Sequence, residues 1–283
     1  MLFQAPRGTS DILPTQQEQW RFFQATVEET ARIFGYRRID TPMFENAGLF
    51  VRGVGKITDI VEKETYTFED RGGDPITLRP EGTAPVCRAY LQNGMQNLQQ
   101  PIRMYYLGPF FRYDRPQAGR YRQLHQFGAE VIGDSSASVD VEVIEFASRL
   151  LTIFGVANTS LLLNSIGDQN CRPRYIEELQ THFQKHSRDL CTDCQRRLPS
   201  NPLRLLDCKR TPCQTAILGA PESVDFLCSP CSEHWIELLD HLKVLNLPYR
   251  VESRLVRGLD YYTRTVFEIV PPTENQQNTI IAG

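Results

Sequence analysis

Four arginines fall within eleven residues, Arg112, Arg115, Arg120 and Arg122, and an amide and a carboxylate follow at Gln126 and Glu130. A guanidinium presents a rigid fork of donors that matches phosphate oxygens, so the cluster suits a polyphosphate or a nucleic-acid backbone. The bland alternative is a solvated turn rich in like charge, and the two readings differ in what flanks the arginines. Gly108 to Arg112 and Arg122 to Glu130 alternate with a period of two, which predicts two strands joined by an arginine-loaded loop. Arg122, Leu124, Gln126, Gly128 and Glu130 share one face; Gln123, His125, Phe127, Ala129 and Val131 share the other. The second face is expected to be mostly core and the first a site, with Arg112 beside Gln126 and Glu130 across the hairpin.

The chain that must hold this hairpin has 283 residues, enough for a large core in one domain or two. Its 41% hydrophobic and 23% charged residues are those of a globular protein. No apolar run approaches ~20 residues, so no spanning helix is expected. The start, MLFQAPRGTSDILP, lacks the apolar core of a signal peptide, which predicts a cytoplasmic protein. With a net charge of only -3, nucleic acid must be met by local patches.

Asp11 and Pro14 open a helix through Phe34, with Trp20, Phe23, Val27, Ala31 and Phe34 as its apolar stripe and Gly35 as its stop. Tyr36 to Pro42 predicts a short strand, and Gly53 to Asp70 a surface loop ending in a strand near Tyr66. Ile76-Thr77-Leu78 leads into Arg79-Pro80-Glu81-Gly82-Thr83. A helix follows, with Val86, Tyr90 and Leu91 inward and Cys87 as a small core residue. Beyond the hairpin, Asp140 to Phe154 reads as an amphipathic helix and Ser160 to Ile166 as an apolar strand. From about Gln169 to Pro248 the sequence turns charged and helical, carrying most of the eight cysteines. Cys191-x-x-Cys194 and Cys228-x-x-Cys231 have the spacing of two halves of one zinc site, with Cys208 and Cys213 between them. Reduced, unmetallated thiols are the favoured reading. Tyr249 to Val256 and Thr265 to Val270 then predict strands on either side of the turn Arg257-Gly258-Leu259-Asp260-Tyr261-Tyr262.

Phe111-Arg112, the loop and the return through Gln126-Phe127-Gly128-Ala129-Glu130 resemble motif 2 of class II aminoacyl-tRNA synthetases. RPQAGRYRQLHQFGAE is similar to its form in histidyl-tRNA synthetases, LRPEGT resembles that family's amino-acid loop, and LVRGLDYYTRTVFE resembles its signature. The helix and strand of Pro14 to Pro42 resemble motif 1, through which class II enzymes dimerise. The resemblance implies an α+β fold with a mainly antiparallel sheet flanked by helices. Residues 1–168 and 249–283 would be the catalytic core and 169–248 an inserted, mostly helical domain. The family continues past this stretch into motif 3 and an anticodon-binding domain, so the chain is expected to be a catalytic-core portion.

The implied activity is activation of L-histidine with ATP and Mg2+, then transfer to the 3' end of histidine tRNA, by a homodimer without a membrane partner. The implied catalytic residues are Arg112 and Arg257. Histidine would be held by Glu81, Thr83, Gln126, Glu130, Arg257, Tyr261 and Tyr262, and ATP by Arg112, Arg120, Arg122 and Leu124, with no metal ligands from the protein. Leu124 departs from the class phenylalanine that stacks on adenine, and offers dispersion without an aromatic face. The competing function is a catalytically silent paralogue, the histidine-sensing regulatory subunit of ATP phosphoribosyltransferase. Retention of Arg112, Arg257 and the whole RGLDYY turn favours the enzyme.

Overall fold

The computed structural model describes residues 3–54, 64–114, 120–259, 261–272 and 279–283. The chain forms two compact units: Met1–Ser135 with Phe146–Gly155 and Leu259–Tyr261, and Ser136–Glu145 with Val156–Gly258 and Tyr262–Gly283.

In the first unit a 3-10 turn, Pro14–Gln16, leads into helix α1, Gln17–Ile33. Val27 and Ala31 of its stripe are fully buried, with Phe23 and Phe34 packed beside them. Gly35 ends the helix at φ +78°, a left-handed conformation that a Cβ disfavours, and Tyr36 N–H reaches back to Ala31 O at 2.9 Å. Of the strand expected from Tyr36 to Pro42, only β1, Arg37–Arg38, joins a ladder. Then follow β2, Phe44–Asn46; α2, Ala47–Val54; β3, Tyr66–Glu69; β4, Pro75–Leu78; and α3, Thr83–Gln92. Most of the loop expected before Tyr66, residues 55–63, lies outside the described residues.

On α3 the inward positions are Ala84, Pro85, Val86, Ala89 and Tyr90. Cys87 and Leu91 are exposed, contrary to expectation: four residues apart, they share the face turned away from Val86 and Tyr90. The hairpin is β5, Ile102–Phe111, and β6, Gln123–Ile132, ten residues each, with β1 parallel to β5 on the far edge. β2, β4 and β3 form a separate antiparallel sheet.

Helix α4, Ala137–Ile153, follows the hairpin. Its Phe146 lies among the rings of Phe34, Tyr36 and Phe127, with centroids 4.9, 5.0 and 5.4 Å away. Thus the odd face of β6 is core from Phe127 through Ala129 to Val131, while Gln123 and His125, nearer the loop, are exposed. The even face is divided: Met104, Tyr106, Phe110 and Leu124 pack with Val86 and Tyr90, and only the remainder is open to chemistry.

The second unit is built on β7, Ser160–Ser165, buried from Leu161 onward. Helices α5, Arg172–Lys185; α6, Thr192–Arg197; α7, Thr211–Leu218; and α8, Ser229–Val244 follow, and then β8, Tyr249–Val251; β9, Thr265–Val270; and β10, Ile281–Ala282. The sheet order is β10-β9-β7-β8, parallel only between β7 and β8. Every described element between Arg172 and Val244 is an α- or 3-10 helix. No helix is long and apolar enough to cross a membrane, among the described residues.

Phe146→Ala should destabilise the protein by about 3–5 kcal/mol, the cost of emptying a filled aromatic site. Phe68→Ala, at a half-exposed strand position, should stay within about 0.5 kcal/mol. Denaturant unfolding of the two variants checks the contrast.

Candidate functional site

The turn between β4 and α3 brings Glu81, Gly82 and Thr83 against the even face of the hairpin. Glu81 is buried and accepts the N–H groups of Thr83 at 2.7 Å and Ala84 at 3.0 Å. Thr83 Oγ1 donates to Glu130 Oε1 at 2.7 Å, and Tyr106 Oη donates to the same oxygen at 3.3 Å. The Tyr106 ring sits where two glycines leave room, because a Cβ on either Gly82 or Gly128 would overlap it. Tyr106 and Gly128 are partners in the β5–β6 register, so the ring crosses from one strand over a bare position on the other.

This packing starves both carboxyls of water. Burial pushes Glu81 up despite the two backbone N–H groups and the Arg112 charge that oppose it. Burial likewise pushes Glu130 up to about 7, against the hydrogen bonds from Thr83 and Tyr106, and the neighbouring Glu81 charge adds to the rise. Tyr106 is raised by burial first, with Glu130 next in weight. The cluster can therefore hold or release a proton near neutral pH and offers a cation or imidazole N–H two carboxyls in a dry setting.

The hairpin register corrects one expectation. Gln126 faces Gly108 and Glu130 faces Met104, whereas Arg112 N–H donates to Arg122 O at 2.9 Å. Arg112 lies farther out, opposite Arg122, because regular pairing runs on to Phe111 and Gln123 before the loop begins. Its side chain turns to the Glu81 segment, with Nε donating to Pro80 O at 2.8 Å. Arg120 pairs with Asp114 at 2.9 Å, and the Arg122 guanidinium lies 4.2 Å from the centre of the Tyr113 ring. Arg115 lies outside the described residues. Leu124 packs into the apolar cluster around Phe110, while Gln126 is half-buried on the same face.

In the second unit, Arg257 Nη1 pairs with Glu268 Oε1 at 2.5 Å, and Thr279 Oγ1 donates to the other oxygen of Glu268 at 2.8 Å. The Tyr262 ring lies 5.6 Å from the Arg257 guanidinium, and Arg257 Nε is buried with no hydrogen-bond partner among the described residues. Tyr261 belongs to the first unit and is half-buried; Asp260 lies outside the described residues. Sequence reasoning missed Tyr106 and Glu268. Tyr106 was marked by a bare glycine on the partner strand, and Glu268 by one acid among Val266, Phe267 and Ile269.

The cysteines do not join as their spacing predicted. Cys191 and Cys194 meet Cys208 and Cys213, while Cys228 and Cys231 meet Cys171 and Asp168; within each set the donor atoms lie within 4.8 Å of one another. The two C-x-x-C pairs therefore cannot share one ion. Each opens a different helix, α6 or α8, and each helix carries its pair to its own partners.

Glu130→Gln should flatten the pH dependence of stability. In the folded protein Glu130 keeps its proton up to about 7 rather than its ordinary 4.5, so between those values the folded state binds more protons than the unfolded one. Stability from this residue is then full below the lower value and declines as pH rises through the window. Thermal unfolding from acid to neutral pH should show that decline weakened in the variant.

The sequence model of the histidyl-tRNA synthetase family matches residues 8–283. A histidine–tRNA ligase of Dehalococcoides mccartyi is 57% identical over 282 residues, covering 100% of this chain and 68% of that protein. The crystal structure of the apo histidyl-tRNA synthetase of S. aureus matches with a TM-score of 0.78 at 39% identity, over 99% of this chain and 65% of that one. A Bacillus halodurans structure titled as an ATP phosphoribosyltransferase regulatory subunit/histidyl-tRNA synthetase shares the fold, with a TM-score of 0.67 at 21% identity, over 100% of this chain and 76% of its own. The chain spans about two thirds of the length of the curated relatives it matches.

Proposed function

The chain belongs to the histidyl-tRNA synthetase family, and from that premise we propose that it activates L-histidine with ATP to histidyl-adenylate and passes the histidyl group to the 3' end of histidine tRNA. The observation that carries this reading is the pair of buried carboxyls, Glu81 on the turn before α3 and Glu130 on the hairpin face it meets, a face that also bears Gln126 and Leu124 and runs out to Arg122 and Arg112. Carboxyls in that setting suit an ammonium group and an imidazole; arginines farther out suit phosphates.

In the reaction the carboxylate of histidine attacks the α-phosphate of ATP in line and pyrophosphate leaves with its magnesium ion. The nucleophile is already an anion, so no general base is required. Catalysis consists of positioning and of neutralising charge on the phosphoryl oxygens. Arg112 neutralises the α-phosphate, and Arg120 and Arg122 meet the rest of the nucleotide, with Leu124 under the adenine. Glu81, Thr83 and Gln126 hold the ammonium and carboxylate end of histidine. Glu130 and Tyr262 read its ring nitrogens and Tyr261 closes over it, roles that for the tyrosines, as for Arg257 at the α-phosphate, rest on the resemblance of the RGLDYY turn. A site that satisfies both ring nitrogens rejects side chains lacking them far better than an apolar slot does.

In this reading residues 1–168 and 249–283 form the catalytic core, and 169–248 is an insertion that leans over the acceptor end of the tRNA in the cytoplasm. The run of helices from Arg172 to Val244 supports that division. The protein pairs with a second copy through Pro14 to Pro42. Phe22 and Ile33 stand exposed there, and Met43 and Phe44 continue the apolar surface. Sedimentation at micromolar concentration should give a dimer; a clean monomer would remove this part of the proposal.

ATP–pyrophosphate exchange with each amino acid in turn tests the reaction, and exchange with none of them, in the full-length enzyme, would favour the histidine-sensing paralogue. Arg257→Ala should lower turnover about a hundredfold, ~3 kcal/mol of barrier, because the charge it meets grows only towards the transition state. Glu130→Ala should chiefly raise KM for histidine, since the imidazole is bound alike before and during reaction. An Arg257→Ala enzyme with raised KM and intact turnover would contradict the role assigned to that residue.

A further inference from the structure

We propose that the second unit carries two structural zinc ions, one held by Cys191, Cys194, Cys208 and Cys213, the other by Asp168, Cys171, Cys228 and Cys231. Neither takes part in the proposed reaction.

In the first set, Cys191 is the residue before α6, Cys194 lies within it, Cys208 follows a 3-10 turn, and Cys213 is in the first turn of α7. Three separate pieces of backbone thus converge on one point, and all four sulfurs lie within 4.8 Å of one another. A tetrahedron of thiolates at a Zn–S bond of about 2.3 Å has edges of roughly 3.8 Å. Cys191 Sγ and Cys208 Sγ are 3.9 Å apart, close to that edge and far from a disulfide bond of about 2.05 Å. Cys191 N–H points at Cys213 Sγ at 3.2 Å, the kind of donor that steadies a ligating sulfur from outside the metal.

All four cysteines belong to or border the apolar core of this unit, but burial alone does not account for their sulfurs meeting at one point. Cys194 and Cys213 are buried as small hydrophobes might be, but Cys191 and Cys208 are half-exposed and still turn their sulfurs inward to the same point. The charge is suitable as well. Four thiolates around Zn2+ leave two negative charges, and Arg196, Arg197, Lys209 and Arg210 adjoin the ligands in sequence. The local structure also needs a staple: α6 has six residues and α7 eight, lengths at which a helix holds poorly by its own hydrogen bonds.

The second set ties the end of β7 to the starts of α5 and α8. Asp168 N–H donates to Cys171 Sγ at 3.3 Å, and Asp168 Oδ1 lies 3.5 Å from Cys171 Sγ and 3.9 Å from Cys228 Sγ. Those separations fit a carboxylate oxygen at about 2.0 Å and thiolates at about 2.3 Å from one tetrahedral ion. Gly167, at φ +64°, bears no Cβ on the side where Cys171 Sγ lies, so the turn can bring the two ligands together. Seven of the eight cysteines are thereby used, and the eighth, Cys87, sits alone on the exposed face of α3.

The test is elemental analysis and native mass spectrometry of the chain, expressed with added zinc and purified under reduction without chelator. About two zinc ions per chain are expected, falling to about one in Cys208→Ser and to about one in Cys228→Ser. Should either variant fail to fold, X-ray absorption at the zinc edge of the unaltered protein decides, with a first shell of mostly sulfur at about 2.3 Å expected. One ion, lost in Cys208→Ser and kept in Cys228→Ser, would overturn the Asp168 site and uphold the Cys191 site; the reverse pattern would do the opposite. No zinc with all eight thiols reactive, or disulfides in either set, would overturn both.

Discussion

The placement of the Tyr106 ring is the constraint on which the site depends. It needs two bare positions, Gly82 on the turn and Gly128 on the facing strand, and it needs both together. With the ring in place, the turn can approach the hairpin closely enough for Thr83 to reach Glu130, and the same approach buries Glu81 under its own backbone donors. The position of each carboxyl follows from a steric fact about an aromatic ring, and the electrostatics follow from the position.

Those electrostatics are a contest between burial and donors. Glu81 has two backbone N–H groups and Glu130 has two hydroxyls, and in ordinary surroundings either set would favour the charged form. Removal of water outweighs them at both residues, and the Glu81 charge adds to the rise at Glu130, whereas the Arg112 charge opposes it at Glu81. Charge-neutral contacts thus serve to aim the oxygens more than to hold the negative charge. The arginines farther along the hairpin are differently placed, with Arg120 and Arg122 engaged by Asp114 and Tyr113 at its open end.

Much of this was legible in the sequence, for identifiable reasons. The alternation of Gln123 to Val131 gave the hairpin and its core face because a strand has only two sides, and the stripe from Phe23 to Phe34 gave α1 for the corresponding reason in a helix. Register was not legible. Where the strands stop pairing decides which residue faces Gln126, and that depends on how far the ladder runs into the loop. Nor could spacing sort the cysteines: two C-x-x-C pairs are alike along the chain, and only the helices that carry them determine which ligands they meet. The double role of the even face was hidden too, since Leu124 and Phe110 differ from their polar neighbours in burial rather than in periodicity.

The two ladders at the heart of the units differ in how far apart in the chain their partners lie. β5 meets β6 across a short loop, whereas Ser160 of β7 pairs with Val270 of β9, with the whole helical segment strung between them. Each doubling of a floppy connection adds only about 0.6 kcal/mol of closure entropy, but a search over so long a loop is slow. When the intervening helices are collapsed, their ends are already brought near each other and the search shortens. The helices between β7 and β9 thus set the length of chain that this ladder must close, and their compaction is what would shorten it.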